Sequence, residues 1–212
     1  MIASMSEYQK VKILNEDKRI TRTRKSLEAA LISLIEEKGY DTITVNDLCS
    51  QAGVNRGTFY NHFSEKESLL LACENKFMEE LQQVQSKLSD VDVIDIAISV
   101  KEKEPVAVLV ELFDFLREKY QFLHAVMGSK GDPYFTQRLQ EFLADYLVYG
   151  ILHEHYRQKP TVFVEYYVAF FASAYVGIIR HWIETDMQES SEEMALIAVR
   201  LLTIQLGEPI AL

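Results

Sequence analysis

The sequence contains few of the residues that cross-link, kink or interrupt a polypeptide chain. Among its 212 residues are two cysteines, four prolines and eight glycines. Cys49 and Cys73 fall at inward-facing positions of predicted helices, so we expect reduced core thiols and no disulfide framework. Helix breakers are few, and alternation of apolar with polar residues never extends beyond a few positions. The sequence therefore predicts an all-α protein.

Motifs of common enzymes are missing as well. The chain has no P-loop, dinucleotide-binding fingerprint, nucleophile elbow or HExxH pattern. His153 and His155 are two residues apart and would diverge on a helix, which argues against a paired metal site. We therefore expect no catalytic activity, no cofactor and no metal. The N-terminus has no apolar stretch typical of a secretory signal, so we expect a cytoplasmic protein.

Positive charge is scarce, with 22 basic against 32 acidic residues and a net charge of −10. The deficit belongs to one part of the chain. Residues 1–66 hold 10 basic and 9 acidic residues, whereas residues 67–212 hold 12 and 23, a net charge of −11. DNA would repel the acidic C-terminal part, so only the near-neutral N-terminal part is suited to bind it.

Residues 42–66 have the pattern of a helix-turn-helix. Thr44 and Asp47 form a T-x-x-D capping pair at the start of a first helix. Gly53 ends that helix, because glycine tolerates the left-handed backbone of a tight turn. Asn55 is a favourable N-cap for a second helix, which we predict over Asn55–Phe63 and assign as the recognition helix.

The recognition helix separates apolar from hydrogen-bonding side chains. Phe59 and Phe63 are four residues apart and share one face. The other faces carry donors and acceptors that suit the major groove, where arginine and asparagine bond base edges and hydroxyls reach phosphates. Taken alone, the pattern fits a ligand-free amphipathic hairpin equally well. The polar residues are Arg56, Thr58, Tyr60, Asn61 and His62.

A longer stretch of sequence decides between these alternatives. The block Gly-Thr-Phe-Tyr-Asn-His-Phe at 57–63 follows an amphipathic helix and precedes Ser-Glu-Lys-Glu-Ser-Leu-Leu at 64–70, which opens a long helix. Over residues 20–88 the chain resembles the DNA-binding domain of the TetR (tetracycline-repressor) family of bacterial transcription regulators. The resemblance implies an N-terminal three-helix DNA-binding domain and a C-terminal helical domain for ligand binding and dimerisation.

Carried over by position, the resemblance implies particular contacts with double-stranded DNA. Thr44 and Lys66, each at the start of a helix, would contact phosphates, and Tyr60 and His62 would grip the backbone. Gly57 would let the recognition helix approach the duplex closely, although glycine costs about 1 kcal/mol of helix propensity. The residues facing bases or the sugar-phosphate edge would be Asn55, Arg56, Gly57 and Thr58.

The preceding amphipathic helix carries basic residues at its start. Its apolar stripe, at spacings of three and four, ends at Gly39 and consists of Leu27, Ala30, Leu31, Leu34 and Ile35. Lys18 and Arg19 begin the basic cluster. Its other members, Arg22, Arg24 and Lys25, are expected to contact phosphates or the minor groove, the alternative being a solvated run of charge.

The predicted organisation is a flexible tail at 1–17, a DNA-binding domain at 18–66 and a helical regulatory and dimerisation domain at 67–212. A long helix is predicted to begin at Ser64, capped by Ser64 and Glu67. Further helices are predicted at 105–127, 132–156, 161–185 and 190–206.

The segment from Val162 to Ile179 is apolar enough to be considered as a membrane span. Glu165 interrupts it, and Arg180 and His181 follow it directly, so a buried helix is favoured and we expect no membrane partner. A helical membrane-surface or scaffold protein that does not bind DNA is the remote alternative.

The same segment has a strip of small residues on which another helix can approach closely: Ala169, Ser173 and Gly177, each four residues apart. The resemblance implies that the last two helices of each subunit pair with their symmetry mates. Ile197 and Leu201 of the last helix would then join the interface of a homodimer, and two heads would bind a palindromic operator.

A regulator needs an input signal, and the aromatic residues of the C-terminal part are the only indication of one. They could line an apolar pocket or simply form the core. Residues 177–184 are similar to a TetR subgroup that includes an activator of dihydroxyacetone kinase genes, whose signal comes from a protein partner. We expect a repressor controlled by an unidentified small molecule or protein, the alternative being an activator or co-regulator that responds to a protein partner. The candidate pocket residues are Phe113, Leu116, Tyr120, Met127, Tyr146, Tyr149, Tyr166, Phe170 and Trp182.

Overall fold

The computed structural model describes residues 7–86, 98–99, 101–146 and 161–203, and every regular element in these ranges is a helix. The prediction of an all-α chain is confirmed. A short 3-10 helix, Tyr40–Thr42, lies between the first two α-helices. The α-helices are α1 (Glu7–Lys38), α2 (Val45–Ala52), α3 (Arg56–Tyr60), α4 (Lys66–Gln85), α5 (Ala107–Glu118), α6 (Tyr120–Met127), α7 (Pro133–Tyr146), α8 (Val162–Glu184) and α9 (Ser191–Thr203).

The chain divides into two compact units, Met1–Asn75 and Lys76–Leu212, and α4 continues through the division. The boundary expected after residue 66 would fall in the first turn of α4, whereas this division lies inside that helix. The backbone is helical from Glu7, inside the segment expected to be a tail, because no proline or glycine interrupts the sequence before Gly39.

Several helix ends differ from the predicted ones. Helix α3 stops at Tyr60 and not at Phe63, and α4 begins at Lys66 and not at Ser64. The Ser68 hydroxyl accepts the Glu65 N–H at 3.3 Å, where the sequence predicted a cap by Ser64 and Glu67. The helix predicted over 105–127 divides at Lys119, between α5 and α6. Residues 147–156, predicted to continue the helix of α7, lie outside the described residues.

The N-terminal unit is built on the predicted apolar stripe of α1. Leu27, Leu31 and Ile35 are each at most 1% exposed, and α1 packs on α2, which packs on α3. Gly39, with φ 83°, ends α1 as predicted. Cys49 is buried here and Cys73 is buried on α4, which confirms that both cysteines lie at inward-facing helix positions.

Helix α2 begins with the predicted capping box. The Thr44 hydroxyl oxygen accepts the Asp47 N–H at 3.2 Å, and the Asp47 carboxylate accepts the Thr44 N–H at 2.8 Å. The same carboxylate accepts the Thr44 O–H at 2.6 Å and pairs with Lys38 Nζ at 2.7 Å. The hydrogen bonds from Lys38 and from Thr44 hold the pKa of Asp47 well below its usual range. The charged carboxylate therefore joins the end of α1 to the start of α2.

The C-terminal unit has an aromatic core. Phe77 of α4 contacts Phe115 of α5 and Phe135 of α7, with ring centroids 5.5 and 5.7 Å apart, and Phe122 of α6 completes the cluster. Helix α8 packs on α6 and α7, and α9 packs on α5. Trp182 of α8 is 1% exposed and meets Phe113 edge to face at 5.5 Å. These contacts connect the part of α4 that follows Lys76 with helices α5 to α9 in one unit.

Arg117 of α5 ties down the loop between α8 and α9. Its guanidinium lies 5.0 Å from the Trp182 ring centroid and donates to the carbonyl oxygens of Met187, at 3.0 Å, and of Glu189. Trp182 Nε1 also donates to the Glu189 oxygen at 3.1 Å. Asp186 and Met187 have φ values of 57° and 50°, which are unfavourable for residues with a Cβ. The loop therefore depends on bonds from outside itself.

Replacing Arg117 with alanine should lower the free energy of unfolding by about 1–3 kcal/mol, because two hydrogen bonds from a charged donor and the stacking on Trp182 are lost. Arg180→Ala is the matched control. Arg180 is exposed, and its ion pair with Glu184 is 3.8 Å long, a contact worth about 0–1 kcal/mol. Urea unfolding at one protein concentration measures both. Equal losses would contradict the role of Arg117.

Asp47→Asn should destabilise the protein at neutral pH and do so less as the pH falls. Because the pKa of Asp47 is depressed in the folded protein, the carboxylate contributes stability above its unfolded-state pKa of about 4, and that contribution is lost as the pH falls toward the folded-state value. Thermal unfolding of the two proteins across this range measures the difference. Asp41→Asn, the same change on an exposed residue, is the control. A difference that does not shrink in acid refutes the assignment.

Candidate nucleic-acid interface

The turn between α2 and α3 depends on Gly53. This residue has φ 66° and ψ 35°, the left-handed conformation predicted for it, and its N–H donates to the carbonyl oxygens of Cys49 and Ser50. The Val54 N–H donates to the Cys49 oxygen at 2.9 Å, and the Val54 side chain is half-buried beside the turn. A side chain at position 53 would be strained by the backbone alone, since no atom lies within 4 Å of its Cβ position.

Helix α3 is capped as the sequence predicted. Asn55 Oδ1 accepts the Thr58 N–H at 2.7 Å. A Cβ added to Gly57 would lie 3.3 Å from that same Oδ1, closer than the cap readily allows. The cap therefore favours glycine at position 57, independently of the close approach to DNA that the sequence predicts there. The sequence does not reveal this preference, because it depends on where the cap oxygen lies.

Two phenylalanines fasten α3 to the unit. Phe59 is 0% exposed and Phe63 is 6% exposed, with ring centroids 5.9 Å apart. Phe63 follows the end of the helix but stays on the same side, because its N–H still donates to the Phe59 oxygen at 2.9 Å. The expectation that both rings face the core is confirmed, and the polar side chains are left to point outward.

The outward side of α3 carries the residues proposed for the DNA surface. Asn55, Arg56 and Gly57 are exposed, and Thr58 and His62 are half-buried. Tyr60 is 49% exposed, and its ring stands edge-on to the buried Phe59 at 5.5 Å. Arg56 Nη2 donates to the Tyr60 hydroxyl at 3.2 Å, and the guanidinium carbon lies 5.7 Å from the Tyr60 ring centroid.

Lys66 has contacts that the sequence did not reveal. Its ammonium donates to the carbonyl oxygens of Tyr40 and Asp41, at 3.0 and 3.2 Å, and lies 4.6 Å from the Tyr40 ring centroid. It thereby binds the start of α4 to the 3-10 helix. An ammonium has three N–H groups, so one remains for a phosphate. The tyrosine 26 residues upstream is the only sequence signal for this contact, and spacing alone does not predict it.

One of the basic residues at the start of the packed part of α1, Arg24, lies near the end of α3. Arg22, Arg24 and Lys25 are exposed. The Arg24 guanidinium carbon lies 5.6 Å from the Phe63 ring centroid. This contact places the positive charge of Arg24 beside Phe63, just after the end of α3. Thr44 is also exposed, but in the absence of DNA its hydroxyl proton is bonded to Asp47.

The candidate pocket residues in the described part of the chain are divided between the core and the surface. Phe113, Leu116, Met127 and Trp182 are buried in the core of the C-terminal unit. Tyr166 and Phe170 are 74% and 66% exposed on α8, away from that core. Tyr120 is half-buried, and its hydroxyl donates to Asp186 Oδ1 at 2.8 Å. Tyr149 and the side chain of Tyr146 lie outside the described residues.

The residues predicted for a dimer interface lie toward the surface. Ala169 and Ser173 are exposed on α8 and Gly177 is half-buried, while α9 carries the half-buried Ile197 and the exposed Leu201. The Ser173 hydroxyl donates to the Ala169 oxygen at 2.7 Å and accepts from Gln140 Nε2 at 2.9 Å.

Among the described residues, α8 is the one helix that is long and apolar enough to cross a membrane, and 28% of its most apolar window is buried.

Comparison with known proteins gives matches in both parts of the sequence. Residues 27–73 match the family described as bacterial regulatory proteins, tetR family, and residues 103–203 match a TetR family described as transcriptional regulator C-terminal region. The HTH-type transcriptional regulator YxbF of Bacillus subtilis is 23% identical over 193 residues, which are 89% of this chain and 47% of that protein. The chain spans at most about half the length of the curated relatives it matches.

Solved structures with the same fold are also regulators. A TetR transcriptional regulator of Streptococcus agalactiae superposes with a TM-score of 0.59 at 22% identity, over 90% of this chain and 98% of that one. The dihydroxyacetone kinase operon activator DhaS superposes with a TM-score of 0.53 at 22% identity, over 85% of this chain and 93% of that one. With TetR matches to both parts of an all-helical sequence, the chain belongs to the TetR family of bacterial transcriptional regulators, which are not enzymes, and has the DNA-binding domain of that family.

Proposed function

We propose that the protein is a homodimeric repressor that binds a palindromic operator through α3 and is released when an effector acts on its C-terminal unit. The observation that carries the proposal is the construction of α3. Phe59 of α3 and Phe63 just beyond its end are buried, and the exposed side chains of this capped helix are hydrogen-bonding groups. A rigid polar helix of this kind suits the major groove of DNA.

The roles proposed for individual side chains follow from their chemistry and place. Arg56 reads guanine edges, because its planar guanidinium bonds two acceptors at once. Lys66 offers its remaining N–H to a phosphate while it holds the 3-10 helix. Thr44 reaches a phosphate when its hydroxyl leaves Asp47. Base-edge or backbone contacts are further proposed for Asn55, Gly57, Thr58, Tyr60, His62, Arg22, Arg24 and Lys25.

Dimerisation is proposed through α8 and α9. Four large apolar side chains on α8 are 66–75% exposed: Val162, Phe163, Tyr166 and Phe170. Soluble proteins rarely leave so large an apolar surface in water unless something covers it. Gly177 supports a helix as the cover, because a Cβ there would meet no atom within 4 Å in its own chain. In a helix interior glycine costs about 1 kcal/mol relative to alanine, and close approach of a second helix accounts for its presence.

The effector is proposed to act by changing the distance between the two DNA-binding heads. Because core residues such as Phe113 and Trp182 are closely packed, an effector can bind the C-terminal unit in two ways. A small molecule can bind by opening the core of the C-terminal unit, and a protein partner can bind its surface. The chain acts in the cytoplasm in either case, because its operator is there.

An activator that responds to a protein partner is the second candidate. The observation in its favour is the fold shared with DhaS, which is an operon activator. The remote alternative is a membrane-surface or scaffold protein, and the apolarity of α8 is the one observation in its favour. Sequence-specific retention of DNA distinguishes it from both regulators.

The purified protein, incubated with sheared bacterial DNA at about 0.15 M salt, should retain fragments that share a palindrome with half-sites about one helical turn apart. Sequencing of the retained fragments measures this. The control is the double variant Arg56→Ala, Thr58→Ala, which removes two outward side chains and leaves the core intact. It should keep its helical content and lose the palindrome. Retention of random fragments by both proteins would refute the proposed function.

Phe170→Glu should dissociate the dimer into monomers, because a carboxylate would be buried in the apolar interface between the two α8 helices. Sedimentation should show half the mass of the unsubstituted protein. Tyr134→Glu on α7 is the matched control, since Tyr134 is also 67% exposed but lies on another helix. A Phe170→Glu protein that stays dimeric would remove α8 from the interface.

A further inference from the structure

Arg56 and Tyr60 are linked on the outward side of α3. They lie four residues apart, where side chains on a helix meet. Arg56 Nη2 donates to the Tyr60 hydroxyl at 3.2 Å, and the guanidinium carbon lies over the ring, 5.7 Å from its centroid. The Tyr60 ring is itself held edge-on by the buried Phe59, with an interplanar angle of 88°. The chain of contacts thus runs from the core to the guanidinium.

This arrangement leaves both side chains able to bind DNA. A tyrosine hydroxyl has one donor and two acceptor positions, so accepting from Arg56 keeps its own O–H free for a phosphate oxygen. A guanidinium has five N–H groups, and one bond to Tyr60 leaves enough of them to bond a guanine at two points. The same hydroxyl can therefore contact a phosphate and Arg56 together.

The contact has a further effect on the free protein. An exposed arginine samples many rotamers, and binding must select one of them at a cost in entropy. A bond to a ring that is already held by the core reduces the number of rotamers before DNA arrives. Loss of the hydroxyl should therefore weaken the reading of the base pair that Arg56 contacts, although Tyr60 contacts no base.

We propose that Tyr60 is a positioning residue for base readout, which holds Arg56 in the orientation that reads its base pair while its own hydroxyl contacts a phosphate. This proposal rests on the proposed DNA-binding function. A tyrosine that contacts phosphate alone would strengthen binding to every sequence by the same factor. A positioning tyrosine changes discrimination at one place in each half-site.

The test compares four proteins: the unsubstituted chain, Tyr60→Phe, Arg56→Ala, and the variant that combines Tyr60→Phe with Arg56→Ala. Each is titrated against the enriched palindrome and against copies with one symmetric base-pair change per half-site. Arg56→Ala should abolish discrimination of about tenfold or more at the base pairs that Arg56 reads. Tyr60→Phe should reduce discrimination about three- to tenfold at those pairs and leave it unchanged at the others. In the Arg56→Ala background Tyr60→Phe should weaken all sequences alike.

Unfolding curves of the variants control for structure, and Tyr60→Phe should match the unsubstituted protein because only an exposed hydroxyl is lost. The proposal is overturned if Tyr60→Phe weakens binding to all sequences equally in the protein that retains Arg56. It is also overturned if Arg56→Ala changes discrimination at no base pair. The proposed function fails separately, if the unsubstituted protein itself does not discriminate between sequences.

Discussion

The proposed DNA-binding surface depends on the burial of two phenylalanines. Helix α3 has five residues, and helices shorter than about 12 residues are marginal in water when isolated. Packing must therefore supply the stability that length does not. Phe59 and Phe63 supply it from one side of the helix, each worth about 1.5–3 kcal/mol when buried, and the Asn55 cap bonds an N–H that the helix itself leaves free.

The neighbouring elements complete this arrangement. The capping box of α2 and its ion pair with Lys38 hold the first helix of the motif on α1, and Gly53 sets the turn into α3. Lys66 then joins the start of α4 to the 3-10 helix. Because Phe59 occupies the core side of α3, the opposite side carries the exposed Arg56 and Tyr60. In the proposed function, stability and DNA recognition thus use opposite sides of one helix.

Local features of this unit could be predicted from the sequence, whereas contacts between distant residues could not. The capping box, the left-handed Gly53 and the apolar stripe of α1 each depend on residues within one or two helical turns, and all were predicted. The contact of Lys66 with Tyr40 joins residues 26 positions apart, and no periodicity indicates it. Helical spacing likewise puts an aromatic residue on a face but does not say whether that face is core, like Trp182, or surface, like Tyr166.

Hydrogen exchange of the DNA-free protein measures most directly whether α3 is formed before it meets DNA. The amides of Phe59, Asn61 and Phe63 donate to carbonyl oxygens within the motif, so they report on the helix. If packing on the core holds α3, these amides should open with about the same free energy as those around Leu31 in α1. Exchange of the α3 amides near the rate of an unfolded chain, while α1 stays protected, would contradict the account.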